Sequence, residues 1–248
     1  MTEYGLEFSS LLKYLSPDQR NIAETWKILS HEHRMYFLTE SQFYVFDGAD
    51  FKGLPMPGYI QQAFKFDDQI TVQVYNAGLF ILDGDKFIHL EGTEALPEII
   101  VALPNTNGKY YFARSGQVFK ECNDKYEEVK IPFEIGRITD AIQLSTGEYA
   151  VGTQNRGLFI FNSDLSLRQH LTKKEGLSDR TIKALYEDGF HNLWVALNNG
   201  IDYLELSLPL SLIDDEVGLE GTGYAACKYQ GSAYLGTNNG LFTQKVSG

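Results

Sequence analysis

The chain is poor in residues that cross-link or interrupt a fold. Its 248 residues include two cysteines and seven prolines, and no Pro-rich or Ser-rich linker and no low-complexity run divides them. Cys122 and Cys227 have neither CxxC nor Cys/His spacing, so we expect two buried or half-buried free thiols. With 43% hydrophobic residues, the sequence predicts a single domain with a large core.

Long apolar segments are absent too. No run of 18 apolar residues occurs, and no basic segment followed by an apolar one opens the chain. We therefore expect these residues neither to span a membrane nor to direct export.

Basic residues are scarce. There are 21 Lys and Arg residues against 33 Asp and Glu, which gives a formal net charge of -12. Such a molecule repels phosphate backbones and anionic lipid surfaces. The composition therefore argues against nucleic acid as a partner and against membrane contact by this segment.

Motifs of enzymes and metal sites are missing as well. The chain has no GxSxG elbow, no GxxxxGK loop and no GxGxxG. His31-Glu32-His33 lacks the i, i+4 spacing of zinc proteases and is predicted to lie in a solvated turn. Asp67-Asp68 and Asp214-Asp215-Glu216 lack the alternating spacing of a calcium loop. We expect no enzymatic activity, no metal and no cofactor.

What the sequence has instead is a phrase of a turn and an apolar strand that returns about every forty residues. It reads NAGLF at 76–80, NRGLF at 155–159, NNGI at 198–201 and NNGLF at 238–242, with a weaker copy, SGQVF, at 115–119. The glycines at 78, 116, 157, 200 and 240 are 38, 41, 43 and 40 residues apart. This period is typical of a four-stranded propeller blade, and in a ring of such blades each sheet covers its neighbours.

The clearest unit begins at Gly176. It predicts a first strand at 181–187, a turn at 188–192, a second strand at 193–197, a third at 201–207 and a short outer one at 210–214. The same template predicts an all-β propeller of about six four-stranded blades, at 20–57, 58–94, 95–131, 132–174, 175–217 and 218–248. The chain could also be a fragment of a larger, seven- or eight-bladed propeller.

The last predicted blade has only three strands, so closure of a ring needs a strand from elsewhere. Residues 4–16, and Ser9 to Ser16 in particular, have no blade of their own and are predicted to supply it. A truncated propeller could instead stay open, or be closed by residues outside this sequence. Residues 1–8 resemble the turn and third strand of an incomplete blade, which indicates a shortened protein.

Aromatic residues recur once per blade. The second strands contain a tyrosine or tryptophan, namely Tyr111, Tyr149, Trp194 and Tyr234. The third strands contain a phenylalanine, namely Phe80, Phe119, Phe159 and Phe242. We interpret them as the core between blades rather than as a ligand-stacking ladder.

Residues 176–201 resemble the two-component regulator propeller repeat. The family pattern is Gly-Leu-Ser, a short strand, an Asp-x-x-Gly-like turn, Leu-Trp and a Gly-Leu hairpin, and it is matched by Gly176-Leu177-Ser178, the turn at 188–192, Leu193-Trp194 and Gly200-Ile201. Gly152-Thr153 and Gly236-Thr237 are weaker matches. The resemblance implies a sensor propeller, the extracytoplasmic (periplasmic) input domain of a membrane-anchored bacterial hybrid two-component or triple-tyrosine regulator, which could be a homodimer at full length.

Candidate binding residues follow from the propeller layout, in which the turns from second to third strands and the passages between blades rise on one face around the channel. The side chains there that the backbone does not require are Tyr75, Arg114, Arg137, Arg156, Asp179 and Arg180. The arginines could form an anion-binding or partner-binding patch, and Tyr75 a stacking surface for a sugar. Alternatively, each arginine pairs with a nearby acid such as Asp179 or Glu134.

Three functions remain open. The leading hypothesis is a non-enzymatic sensor that recognises a small molecule, a glycan or a partner protein on the channel face. The second is a scaffold propeller for protein-protein interaction. The third, a propeller hydrolase, lyase or lactonase, needs inward-pointing carboxylates or histidines, whereas the predicted first strands at 182–185 and 141–144 offer apolar, Lys and Gln residues.

Overall fold

The computed structural model describes residues 10–17, 20–22, 24–39, 42–66, 68–122, 125–206, 222–230 and 232–245. After a short 3-10 helix at Leu11–Tyr14, these residues form six antiparallel sheets, four with four strands and two with three. The prediction of an all-β chain built from about six such sheets is confirmed.

Within each sheet the strands follow one another in chain order, as a meander. Sheet 1 is β1 (Thr25–His31), β2 (Arg34–Thr39), β3 (Phe43–Phe46) and β4 (Phe51–Leu54); sheet 2 is β5 (Ile60–Phe66), β6 (Gln69–Val74), β7 (Gly78–Asp83) and β8 (Lys86–His89). Sheet 3 is β9 (Ile99–Asn105), β10 (Gly108–Ala113), β11 (Val118–Cys122) and β12 (Lys125–Glu128); sheet 4 is β13 (Ile138–Gln143), β14 (Tyr149–Thr153), β15 (Leu158–Phe161) and β16 (Leu167–Leu171). Sheet 5 is β17 (Ile182–Glu187), β18 (Leu193–Leu197) and β19 (Ile201–Leu204); sheet 6 is β20 (Gly223–Tyr229), β21 (Ser232–Thr237) and β22 (Gly240–Lys245).

The chain divides into two compact units, Met1–Leu206 and Ser207–Gly248. The first contains sheets 1 to 5 and the second contains sheet 6. The closed ring and the single domain stay predictions, and each unit is described by itself.

All six sheets share one irregularity. A β-bulge interrupts the pairing of the first strand with the second near the start of the first strand. In sheet 4 it falls between Ile138 and Asp140, and in sheet 5 between Ile182 and Ala184. A bulge bends a strand and re-aims its side chains, so the sheets are copies of one unit even where the sequence repeat is weak.

Successive sheets of the first unit pack face to face. One apolar cluster lies between each pair of neighbouring sheets from 1 to 5. In β10, Phe112 belongs to the cluster shared with sheet 4, whereas the adjacent Tyr111 belongs to the cluster shared with sheet 2. This alternation is the period of two of a β-strand buried on both faces, and it explains why strands such as β14 and β15 are apolar almost throughout.

The predicted closing strand is not a strand in the part of it that is described. Leu11–Tyr14 is a 3-10 helix, and the side chain of Ser10 at its N-cap accepts a hydrogen bond from the backbone N–H of Leu12. Leu15 is buried against Tyr44 and Phe51 on the face of sheet 1 opposite the one that packs on sheet 2. The leucines of this segment pack on that face of sheet 1 without pairing as a strand, so the N-terminal strand prediction is wrong for residues 11–14.

The predicted aromatic core is confirmed in part. Tyr149 is fully buried and Tyr111 is 3% exposed, but Trp194 is 43% exposed and Tyr203 also 43%. The Trp194 and Tyr203 rings meet edge to face, with centroids 4.9 Å apart, on the face of sheet 5 opposite the one that packs on sheet 4. The core prediction is therefore wrong for Trp194 in the described structure.

Two smaller predictions also have outcomes. Cys227 is a free thiol, as expected, but it is exposed rather than buried. The predicted outer strand at 210–214 and the acidic run Asp214-Asp215-Glu216 lie outside the described residues.

Candidate functional site

One edge of the sheets is held together by a hydrogen bond that repeats from sheet to sheet. The first residue after a second strand donates its backbone N–H to a carbonyl at the start of the same sheet. The pairs are Tyr75 to Tyr59 (2.9 Å), Arg114 to Glu98 (2.8 Å), Gln154 to Arg137 (2.9 Å), Asn198 to Thr181 (2.9 Å) and, in the second unit, Asn238 to Thr222 (3.1 Å). We call this edge, in sheets 2 to 5, the hairpin rim.

The rim also connects neighbouring sheets. Ile138 at the start of sheet 4 donates its N–H to the carbonyl of Arg114 in sheet 3, over 3.0 Å. Gly157 of sheet 4 likewise donates to the carbonyl of Arg180, over 2.9 Å. Turns and passages therefore lie on one face, as the propeller layout predicted.

These bonds place the predicted arginines next to one another. Each of these two inter-sheet hydrogen bonds joins the peptide group that follows one arginine to the carbonyl of another arginine. The Cα atoms of Arg156 and Arg180 are therefore no more than about 8 Å apart, and the same holds for Arg114 and Arg137. The side chain of Arg156 lies over Gly136, and its Cδ is 2.9 Å from the position that a Cβ would take there. Arg114, Arg137, Arg156 and Arg180 thus form one continuous row, which we call the arginine row.

The hairpin glycine is required by this close packing. Gly157 has a φ of +76°, and a Cβ on it would collide with the carbonyl oxygen of Leu171. Residues with a side chain rarely adopt that backbone conformation, so the turn itself explains why glycine recurs in the Asn-x-Gly phrase.

Arg114 is fully engaged within the protein. Its Nε donates to Oε1 of Glu98 over 2.7 Å, and the two side chains are 22% and 31% exposed. Gln62 donates to the same oxygen over 3.2 Å. The pairing with a nearby acid holds here, although the acid is Glu98, which the sequence did not single out.

The other arginines are freer. Nη1 of Arg156 is 3.7 Å from Oε2 of Glu134, whose side chain is 82% exposed. Arg137 and Arg180 are exposed, and their guanidinium groups have no hydrogen bond or ion pair to any described residue. Their backbone carbonyls accept hydrogen bonds of the rim, and substitution of either side chain leaves these backbone hydrogen bonds in place.

Asp179 and Tyr75 have separate roles. Oδ1 of Asp179 accepts the N–H of Thr181 over 3.1 Å, as in an Asx turn, and no described arginine pairs with it. Tyr75 is 59% exposed on the rim of sheet 2. The structure thus brings the four arginines together and leaves Tyr75 farther along the same edge.

A cavity of about 200 Å³ opens beside the arginine row. Ser115, Gly116 and Gln117 of the sheet 3 hairpin form one side of it, and the passage from 128 to 136 forms the other. Its apolar lining is Val118, Val129, Ile131, Phe133 and Ile135. Glu134 and Gly136 line it too, so the loose ion pair of Arg156 lies at its margin.

The opposite edge of sheets 1 and 2 has a charged cluster that the sequence did not reveal. Asp85 accepts from Lys52 over 2.8 Å and from Arg34 over 3.2 Å, and these contacts hold the pKa of Asp85 below its usual value. His31 lies in the β1–β2 hairpin, with Nδ1 3.6 Å from Oδ1 of Asp68. No group of three or more metal-ligating side chains occurs in the part of the chain that the structure describes.

A half-buried carboxyl was also missed by the sequence analysis. Asp140 in β13 follows the bulge, and its side chain accepts the N–H of Leu185 in β17 over 2.8 Å and that of Ala141 over 3.0 Å. Burial raises the pKa of Asp140, against those hydrogen bonds and the charge of Lys27 in β1. Its oxygens are occupied by backbone donors, so this carboxyl joins two sheets and does not form a catalytic pair.

No family model and no curated protein matches the chain. Solved structures do match. The extracellular domain of the hybrid two-component system BT3049 from B. thetaiotaomicron is similar with a TM-score of 0.64 and 16% identity, over 93% of this chain and 34% of that one. The extracellular domain of the one-component system BT4673 from the same organism gives 0.58 and 19%, over 88% and 32%.

The protein has the fold of these extracellular domains. The resemblance to sensor propellers is thereby confirmed at the level of the fold. The chain spans about a third of the length of both proteins, at 34% and 32%. An enzyme has a related fold: virginiamycin B lyase from Staphylococcus aureus, with a TM-score of 0.54 and 9% identity, over 88% of this chain and 83% of the lyase.

Across the described ranges, none of the helical structure has the length and apolar character needed to cross a membrane.

Proposed function

We propose that this protein is a non-enzymatic ligand-recognition module, part of the extracytoplasmic input domain of a bacterial signal-transduction regulator. The observation that carries the proposal is the similarity of the fold, over 93% of the chain, to the extracellular domain of a hybrid two-component system. Fold alone does not define function, so the site must support the role independently.

The hairpin rim gives that support. Its turns and passages are hydrogen-bonded both within and between sheets, so it is a preformed surface rather than a set of separate loops. It carries exposed side chains that the backbone does not use, including Tyr75, Arg137 and Arg180. A preformed surface with few convergent polar groups beside a cavity suits recognition of a small molecule or glycan.

Signalling would follow from the rigidity of this surface. A ligand on the rim, or one that bridges two copies of the protein, favours whichever arrangement of copies it binds better and so shifts the population of output states. A ligand with equal affinity for both arrangements would transmit nothing.

An enzyme is the weaker alternative. The lyase similarity favours it at the level of fold, but Asp140, the half-buried carboxyl on an inner strand, already accepts two backbone N–H groups. Catalysis needs groups that converge on a reacting atom.

The test is a thermal-shift screen of glycans and organic acids on the purified chain, followed by calorimetry and an NMR assay for turnover of each hit. We expect saturable stabilisation by at least one compound, which is recovered unchanged. Consumption of the compound would overturn the non-enzymatic role. Stabilisation by no compound, together with capture of a purified partner protein, would favour the scaffold instead.

A further inference from the structure

Two guanidinium groups on the hairpin rim lack an acidic partner among the described residues. They belong to Arg137 and Arg180, which are both exposed. Arginine presents planar donors that match oxyanions in pairs, so two unoccupied guanidinium groups on one edge are potential ligand contacts.

Arg156 lies between them and is only loosely held. Its backbone neighbours Arg180 through the Gly157 hydrogen bond, and its side chain lies over Gly136, which precedes Arg137. The 3.7 Å separation from Glu134 is too long for a good hydrogen bond, and an exposed pair of this kind contributes little energy. A ligand oxyanion can therefore displace Glu134 at small cost.

Three other carboxylates near the arginine row are committed elsewhere, whereas Glu128 is exposed at the far side of the cavity. Glu98 accepts from Arg114 and Gln62. Asp179 accepts the N–H of Thr181 over 3.1 Å. Asp202 accepts the N–H and the hydroxyl of Ser178, over 2.8 and 2.6 Å.

We propose that Arg137, Arg156 and Arg180 form an oxyanion site, and that the ligand of the rim carries a carboxylate or sulfate group. The inference deepens the proposed function and rests on it. Arg114 is not part of the site, since its guanidinium is held by Glu98.

The neighbouring cavity gives room for the rest of the ligand. Its volume of about 200 Å³ is below that of a whole drug-sized pocket, so it accepts one ring or short chain of a larger molecule. The apolar side chains of Val118, Ile131 and Phe133 suit the apolar face of a sugar ring or an alkyl group. A sugar acid or a sulfated sugar combines both features.

The experiment uses D-glucuronate with D-glucose as its matched neutral sugar, and inorganic sulfate with chloride at equal ionic strength. The readout is the NMR signal of each arginine Nε–H, which reports contacts residue by residue. We expect saturable shifts at Arg137, Arg156 and Arg180 with glucuronate or sulfate, and none with glucose or chloride.

The test variant is Arg137→Gln with Arg180→Gln, which removes two exposed side chains while keeping their backbone bonds. Its matched control is Lys86→Gln with Lys125→Gln, which removes the same charge from exposed sites at hairpins between third and fourth strands, at the edge opposite the arginine row. We expect the test variant to weaken anion binding by about tenfold or more, and the control to retain it. Unchanged thermal midpoints in both variants show that folding is intact.

Each outcome decides the point. Binding of glucuronate alone assigns a carboxylate to the ligand, and binding of sulfate alone assigns a sulfate ester. Either result, or binding of both anions, supports the oxyanion site. Equal binding by the test variant, or shifts at Arg114 only, overturns it. A screening hit that stabilises the test variant as strongly as the natural protein refutes the oxyanion site and leaves the recognition role standing.

Discussion

Replacement of Asp140 separates the contribution of its hydrogen bonds to stability from the contribution of its charge; this carboxyl is half-buried. The side chain accepts the N–H of Leu185 in the next sheet over 2.8 Å and the N–H of Ala141 over 3.0 Å. Asp140→Ala leaves both donors without this acceptor, and we expect a loss of about 1–3 kcal/mol in the free energy of unfolding. Asp140→Asn removes the charge and keeps one acceptor oxygen, which can still accept the N–H of Leu185, so we expect a smaller loss than for Asp140→Ala.

The pH dependence provides the second part of this prediction. Burial raises the pKa of Asp140 above its usual value. A carboxyl with a raised folded-state pKa contributes fully to stability below the unfolded-state pKa of about 3.9, and that contribution is lost as the pH rises through the folded-state pKa. The stability of Asp140→Asn relative to the natural protein should therefore increase as the pH rises from about 4.

Urea denaturation of the three proteins, followed by circular dichroism at several pH values, measures both effects. Carboxyls with lowered pKa values, such as Asp47 and Asp188, change the stability of all three proteins in the same way, so they cancel in the comparison. If Asp140→Asn loses as much stability as Asp140→Ala, the charge and not the hydrogen-bond acceptor holds the sheets, and the reasoning fails.

Two further substitutions test the packing. Gly157→Ala should destabilise the protein more than Gly200→Ala. Both substitutions place a residue with a side chain at a positive φ, which costs about 1–2 kcal/mol, but only at Gly157 would the new Cβ collide with the carbonyl of Leu171. Equal shifts in the thermal midpoints of the two variants would contradict this. Tyr149→Phe should lower the free energy of unfolding, measured by urea denaturation, by about 1 kcal/mol, because the Tyr149 hydroxyl donates to the carbonyl of Pro104. Burial also raises the pKa of Tyr149 to about 12, so the hydroxyl keeps its proton. No loss of stability would show that this hydrogen bond is not needed.

The sheets were predictable because local signals agreed. Turn phrases at a regular spacing and apolar strands buried on both faces point to the same four-stranded unit, and β18 begins and ends where the sequence predicted. The structure of the N-terminal segment was not predictable from sequence, since Leu11, Leu12 and Leu15 fit a strand as well as a short helix. The packing of these leucines on the face of sheet 1 opposite sheet 2 decides between them.

The candidate site was predictable in position but not in detail. Chain order alone places Arg114, Arg137, Arg156 and Arg180 at turns on one edge. Which acid holds which arginine depends on side-chain directions at the ends of strands, so the pairing of Arg114 with Glu98, at the start of the same sheet, was not identified from sequence spacing. Asp140 was missed for a related reason, because a bulge in the strand sets its direction.

The central claim is that the hairpins and passages form one preformed recognition face, and backbone hydrogen exchange tests it most directly. The account expects slow exchange at the amide of Gln154, which donates within its own sheet, and at the amides of Ile138 and Gly157, which donate to the neighbouring sheet. It expects fast exchange at Asn155 and Asn199, which have no described acceptor. Uniformly fast exchange at all five amides would contradict it, because the turns would then be independent loops rather than one rigid surface.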